Sequence, residues 1–272
     1  MRSRSQFFSV VPEMILALAV FGMHGSLQAQ YGYSKGGPGM KQDRAGKFGG
    51  ERFAVAPSGL QPAFPAQARC PEIASPYGSH TRYDGSFRPT SEFGGHHGGI
   101  DITLPEGTHL LALAAGTVAS KGEGGMMEGI YLWLRHSPED TGLVYWVYSK
   151  YQHLESLPEF EVGAKVAMGQ IIARSGKTGT AGGHYGVSGY PHLHLGTVRG
   201  TSGDETVGAR GEARGVHLFD PLAIYDEAGG KLREPAESPL PAGAVAIPYA
   251  STDGKVAPPG TRVVWPIACQ PR

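Results

Sequence analysis

Two short runs of this chain alternate strictly between apolar and polar residues. In Ile100-Asp101-Ile102-Thr103-Leu104 the aliphatic side chains fall on one face of an extended strand and Asp101 on the other; in His192-Leu193-His194-Leu195 both histidines share the face opposite the leucines. Each run therefore buries an apolar side and offers its polar side to a cleft. Composition points the same way. Glycine accounts for 42 of 272 residues and charged residues for only 18%, which favours strands, tight turns and loops over long surface helices rich in Glu and Lys. The stretches 129–135, 142–148 and 162–173 supply further strands, and turn signals such as Tyr83-Asp84-Gly85 and Ala115-Gly116 punctuate them. The expected fold is mainly β, with no internal repeat and no long helix.

The organisation along the chain is uneven. Arg2 and Arg4, the apolar run from Met14 to Met23 and Leu27-Gln28-Ala29 read as a signal peptide over 1–29. The run is shorter than the roughly 20 residues a membrane span needs, so no stable insertion is expected after cleavage; an uncut anchor is the alternative. Residues 30–69 form a Gly/Pro-rich linker or arm, and the composition changes at Cys70. The only other cysteine is Cys269. In an exported chain such a pair forms a disulfide, worth on the order of 5 kcal/mol for a loop this long; in a reducing compartment it would be two buried thiols. Residues 226–272 form a proline-rich extension without ordinary helix or sheet, which the Cys70–Cys269 bridge would tie back. Lys+Arg and Asp+Glu are both 24, so no basic stripe advertises nucleic acid.

The chemistry concentrates in His97 and Asp101, His153, and the pair His192 and His194. Imidazole and carboxylate bind a borderline metal such as Zn²⁺, and a catalytic zinc site has three protein ligands with a position left open. His-x-x-x-Asp alone is a weak pattern, but Gly98-Gly99 argues for a turned backbone rather than a helix. His-x-His on a strand is stronger, since alternate residues on one face reach a common ion. Among eleven histidines, His80, His109, His136 and His217 read as structural or surface residues.

In order and spacing, His97-x-Gly99-x-Asp101, Tyr151-x-His153-Leu154, Val162-Gly163-x-x-Val166-x-x-Gly169-Gln170, Gly176-x-Thr178-Gly179 and His192-Leu193-His194 resemble the lysostaphin-like (LytM-type) zinc metalloendopeptidases that cut peptidoglycan peptides. The resemblance runs from about Ser75 to Val198, with Pro105-x-Gly107-Thr108 and Gly116-x-Val118 extending it. It implies an antiparallel β-sheet core over 70–225 with a cleft walled by long loops. It further implies one Zn²⁺ per chain held by His97, Asp101 and His194, with His153 and His192 as catalytic histidines. His96 precedes His97, but only His97 has Gly two and Asp four positions later. The loop 181–190 is long for the family and brings His184 and Tyr185 near the cleft.

No His-Glu-x-x-His is present, so no helix-borne glutamate serves as base; a histidine takes that role. His192 is assigned as general base and His153 as hydrogen-bond partner of the oxyanion or water, with the two jobs open to exchange. The expected activity is that of an exported zinc metalloendopeptidase acting on cross-link or stem peptides of peptidoglycan, periplasmic rather than extracellular. The alternatives are a non-catalytic, wall-binding or hydrolase-activating relative and a β-sandwich binding module. Oligomeric state has no sequence signature.

Overall fold

The structure is a computed structural model and describes residues 55–180, 189–208, 216–229 and 240–272. The expected signal peptide, most of the linker, His184 and Tyr185 lie outside the described residues. In chain order the elements are β1 (Gln61–Ala63), β2 (Ala68–Arg69), β3 (Ile73–Ser75), β4 (Gly99–Thr103), β5 (His109–Leu111), β6 (Gly116–Glu123), β7 (Ile130–His136), α1 (Pro138–Thr141), β8 (Trp146–Gln152), β9 (Lys165–Val166), β10 (Ile171–Arg174), β11 (His192–Gly200), β12 (His217–Leu218), α2 (Pro221–Gly229), β13 (Ala244–Ala246), β14 (Tyr249–Ala250), β15 (Val256–Ala257) and β16 (Gln270–Pro271).

An eight-stranded sheet carries the fold, in the order β3-β4-β11-β8-β7-β6-β9 with β12 joined to β11, and every pairing in it is antiparallel. The chain is thus mainly antiparallel β, as its sequence leads one to expect. Ile100, Ile102, Leu193, Leu195, Leu132, Leu134 and Tyr151 sit in one continuous apolar core. The Tyr151 hydroxyl donates to the Leu111 carbonyl at 2.9 Å and accepts from the Leu113 amide at 2.9 Å, so this buried polar tip is fully satisfied. Trp133, Tyr148, Val198, Val207 and Val216 form a second, smaller cluster.

One strand starts later than its composition suggests. Residues 142–145 are not extended: Ser137 and Asp140 form a reciprocal capping box, Pro138 opens α1, and Gly142 closes it with φ 79° while its amide bonds the Pro138 carbonyl at 2.8 Å. The apolar run of this segment therefore begins inside a helix cap, and Val144 is 93% exposed. Strand β8 begins at Trp146 and continues to Gln152, which delivers His153 at its end.

The tail is built into the domain rather than lying free of regular structure. β13 pairs in parallel with β1 and β16 antiparallel with β2, while the Val264 amide bonds the Leu113 carbonyl and the Leu111 amide bonds the Pro266 carbonyl, both at 2.7 Å. Trp265 is fully buried, edge-on to Phe64 at 5.3 Å between centroids, and its indole N–H donates to the Pro71 carbonyl at 3.1 Å. Cys70 and Cys269 are disulfide-bonded, 199 positions apart. Proline removes backbone donors but leaves carbonyls and ring surface free, so a proline-rich segment still pairs at an edge and fills a core.

His136 is fully buried, with Nδ1–H donating to the Ala115 carbonyl at 2.7 Å and Nε2 2.8 Å from the Ser149 hydroxyl. Burial pushes its pKa down to about 4, against smaller opposing effects of the Ala115 bond and the Asp140 charge. The unfolded chain takes up this proton near pH 6.5 and the native state only near 4, so the stabilising neutral form is complete above the higher value and its contribution is lost as pH falls through that window. The loss amounts to about 3 kcal/mol at pH 4. Denaturant midpoints measured at pH 7 and pH 4.5 should fall less for His136→Gln than for the unchanged protein; parallel losses would refute this. Cys70→Ser is expected to lower unfolding free energy by about 2–5 kcal/mol under non-reducing conditions, read from the same titrations.

Candidate metal centre

The pairing of β4 with β11 sets His194 directly opposite Asp101, and Gln152 of β8 lies opposite His194 on the other side. His97 reaches the same point from the turn that leads into β4. Three donor atoms converge: Asp101 Oδ1 stands 2.8 Å from His194 Nδ1 and 3.1 Å from His97 Nε2, and the two imidazole nitrogens are 3.1 Å apart. His97, Asp101 and His194 are the one set among the described residues whose ligand atoms cluster closely enough to share an ion. His96 turns elsewhere, its ring tilted against that of His80 with centroids 4.1 Å apart and its Nδ1–H donated to the Gly78 carbonyl at 3.0 Å.

The donor set suits a small divalent cation. At metal–ligand distances of 2.0–2.1 Å, neighbouring corners of a tetrahedron are roughly 3.3 Å apart, close to the separations found. His97 Nδ1–H donates to the Pro76 carbonyl at 3.0 Å, which leaves a lone pair on Nε2 facing the Asp101 carboxylate. Two lone pairs at that distance repel unless a proton or metal ion lies between them. Gly99 is what permits the approach: a Cβ there would lie 2.8 Å from His194 Nε2 and collide with the Leu195 carbonyl.

Electrostatics prepare these groups for a cation. Burial opposes the charged form of Asp101, but the neighbouring His97 and His194 hold its pKa well below the ordinary carboxylate value. Burial lowers the His194 pKa to about 4 despite the Asp101 contact, so its imidazole is neutral at pH 7. A deprotonated carboxylate and neutral imidazoles are the forms that ligate.

His153, just past the end of β8, and His192, at the start of β11, stand beside this centre, their ring centroids 4.6 Å apart. His153 Nδ1–H donates to the Thr178 carbonyl and His192 Nδ1–H to the Tyr190 carbonyl, each at 2.7 Å, so both rings turn an acceptor Nε2 away from the backbone. His192 Nε2 is 3.6 Å from Asp101 Oδ1. Burial, then the neighbouring His192 and His194, push the His153 pKa well below 6.5. His153 has φ 63°, a left-handed conformation uncommon for histidine, held where Thr178 packs on Gly129. The Thr178 hydroxyl donates to the Leu154 carbonyl and accepts from the Ile130 amide, and no side chain at Gly129 or Gly179 would fit between the two loops. The Gly176-x-Thr178-Gly179 motif thereby shapes the support of His153.

The centre lies in a cleft of about 280 Å³ lined by Tyr83, Phe93, Met127, Glu128 and Tyr190 as well as the five residues above. Tyr83 stacks on Tyr190 at 3.6 Å and Tyr190 on His192 at 4.8 Å, an aromatic pile that braces the His192 ring. Lys150, buried on β8, pairs with Glu128 at the edge of the cleft and lies over the rings of Tyr131 and Trp133. Tyr190, Lys150 and Arg88 are missed by motif reasoning, because each acts through the fold and carries no local pattern. His80, His109 and His217 lie outside the donor set.

Residues 95–205 match the model of peptidase family M23. An uncharacterized metalloprotease of Haemophilus influenzae is 32% identical over 133 residues, 48% of this chain and 23% of the relative, so the chain spans under a quarter of that protein's length. Among solved structures, the catalytic domain of lysostaphin from Staphylococcus simulans is 24% identical, with 57% of this chain and 91% of that one covered at a TM-score of 0.40. A variant catalytic domain of the prophage-encoded M23 protein EnpA from Enterococcus faecalis is 22% identical, with 57% and 92% covered at a TM-score of 0.35. All five histidine and aspartate positions fall inside the stretch that matches the model of peptidase family M23.

Proposed function

We propose that this protein is an exported zinc metalloendopeptidase that hydrolyses peptide bonds of peptidoglycan, cross-link or stem peptide, with His97, Asp101 and His194 holding one Zn²⁺ and His153 and His192 performing proton transfer. The observation that carries this reading is the convergence of three ligand atoms within 3.1 Å of one another beneath two histidines whose Nδ1 atoms are committed to backbone carbonyls. Among the described residues no helix is long and apolar enough to cross a membrane.

A bound Zn²⁺ would supply Lewis acidity toward the scissile carbonyl and acidify a water to near neutrality. The chain's own groups do the rest. His192 accepts a proton at Nε2, which lies 3.6 Å from Asp101 Oδ1. Burial opposes protonation of His153, with Asp101 acting on it in the opposite sense, and His192 is assigned as the base. His153 Nε2 accepts a hydrogen bond that orients the attacking water. Once protonated, His192 Nε2–H donates to the leaving amine. The apolar walls of Phe93 and Met127 limit competing solvent around these transfers.

Elemental analysis should find one zinc per chain in the unchanged protein and none in the His97→Ala, Asp101→Ala and His194→Ala proteins. His153→Ala and His192→Ala should keep it while kcat/KM falls about 10²- to 10⁴-fold. Near-normal turnover in either of the latter two would reject the assigned roles. Purified peptidoglycan incubated with the protein should release peptide fragments that mass spectrometry assigns to one bond type, and chelator should abolish release. Release that continues after complete zinc removal would sink the metalloendopeptidase reading, and zinc binding without any release would indicate a wall-binding relative.

A further inference from the structure

Arg88 lies in an exposed loop, yet its side chain is only 9% exposed, while its neighbour Phe87 is 80% exposed. The loop is a small hairpin: Thr81 and Phe87 form an antiparallel bridge around the Asp84-Gly85 turn, and the Arg88 amide bonds the His80 carbonyl at 2.9 Å. That anchoring drives the guanidinium inward. Its Nη2 donates to Asp101 Oδ2 at 3.4 Å and to the Ser75 hydroxyl at 3.1 Å, and its Nε is buried without a hydrogen-bond partner. Burying a charged group and leaving one donor unmatched is costly, so the position is held by what the remaining donors accomplish.

Asp101 divides its two oxygens. Oδ1 faces His97, His194 and His192, whereas Oδ2 is turned to Arg88. Ser75, buried on β3 opposite Asp101, also receives the Nδ1–H of His97 at 3.3 Å, a bond shared with the Pro76 carbonyl, while its own hydroxyl points to the Thr81 carbonyl at 3.4 Å. One guanidinium therefore touches the outer oxygen of Asp101 and, through a single hydroxyl, the outer nitrogen of His97.

We propose that Arg88 and Ser75 are positioning residues that clasp Asp101 and His97 together from behind, fixing the carboxylate to offer one oxygen and the imidazole to offer Nε2. This rests on the reading of His97, Asp101 and His194 as a metal set. A guanidinium repels a cation, so a purely electrostatic role would make its loss tighten metal binding; the clasp predicts the opposite sign. Outer partners of this kind are worth about 10- to 100-fold in metal affinity.

The test measures Zn²⁺ affinity by chelator competition, and the visible absorption of the Co²⁺-loaded protein, for full-length Arg88→Gln, Arg88→Lys and Ser75→Ala proteins whose circular dichroism matches the parent. Arg88→Gln should bind zinc about 10- to 100-fold more weakly with an altered cobalt spectrum. Ser75→Ala should shift both in the same direction by less. Arg88→Lys, which keeps the charge but cannot span both partners, should not restore affinity. Unchanged or tighter binding with an unchanged cobalt spectrum in Arg88→Gln would overturn the clasp, as would full rescue by lysine. If Arg88→Gln does not fold, parent-like affinity and spectrum in Ser75→Ala overturns it instead. A parent protein that binds neither metal would remove the metal reading itself, and the clasp with it.

Discussion

The pairing of β4 with β11 is the constraint on which the rest of the molecule depends. It sets Asp101 against His194 and, on the opposite face, Ile100 and Ile102 against Leu195 and Leu193. All four aliphatic side chains are completely buried. Each contributes about 1.5–3 kcal/mol through burial, and a register slip of one residue would turn every one of them toward the cleft and every ligand into the core. Hydrophobic burial thus selects the register, and the register assembles the charged cluster. Burying a carboxylate beside imidazoles is unfavourable in itself; here the sheet supplies the energy and the hydrogen bonds limit the cost.

Backbone carbonyls do much of the chemical selection. Pro76, Thr178 and Tyr190 each receive an Nδ1–H, from His97, His153 and His192 respectively, so the tautomer of three rings is chosen by rigid main chain rather than by titratable neighbours. Such choices are insensitive to salt. They also explain the left-handed conformation at His153, whose ring must meet the Thr178 carbonyl immediately after β8 ends.

Much of this was legible in the chain itself, and the omissions have physical causes. Strict alternation around Asp101 and around His192 and His194 reports both the strands and the cleft face, because a period of two has a single structural meaning. The glycines at 98 and 99 signal a close approach, although only the coordinates identify His194 as what approaches. Strand β8 was harder to place: Leu143 and Val144 carry the right propensity but follow a helix cap, and a capping box overrides a weak preference. Arg88 and Ser75 were invisible because their function is set by side chains that lie near in space and far in sequence. Trp265 and the proline-rich tail read as irregular, since edge pairing through carbonyls and a single buried indole leaves no periodic trace.

The way the tail closes the domain orders the events of biogenesis. Leu111 and Leu113 present backbone groups that are matched only by Val264 and Pro266, and Trp265 covers the core between them. Synthesis from the N-terminus delivers those partners late. Until then the nascent domain carries an open strand edge and an uncovered apolar surface, the features that attract chaperones and promote aggregation. Docking of the indole and the Cys70–Cys269 bond then close the core.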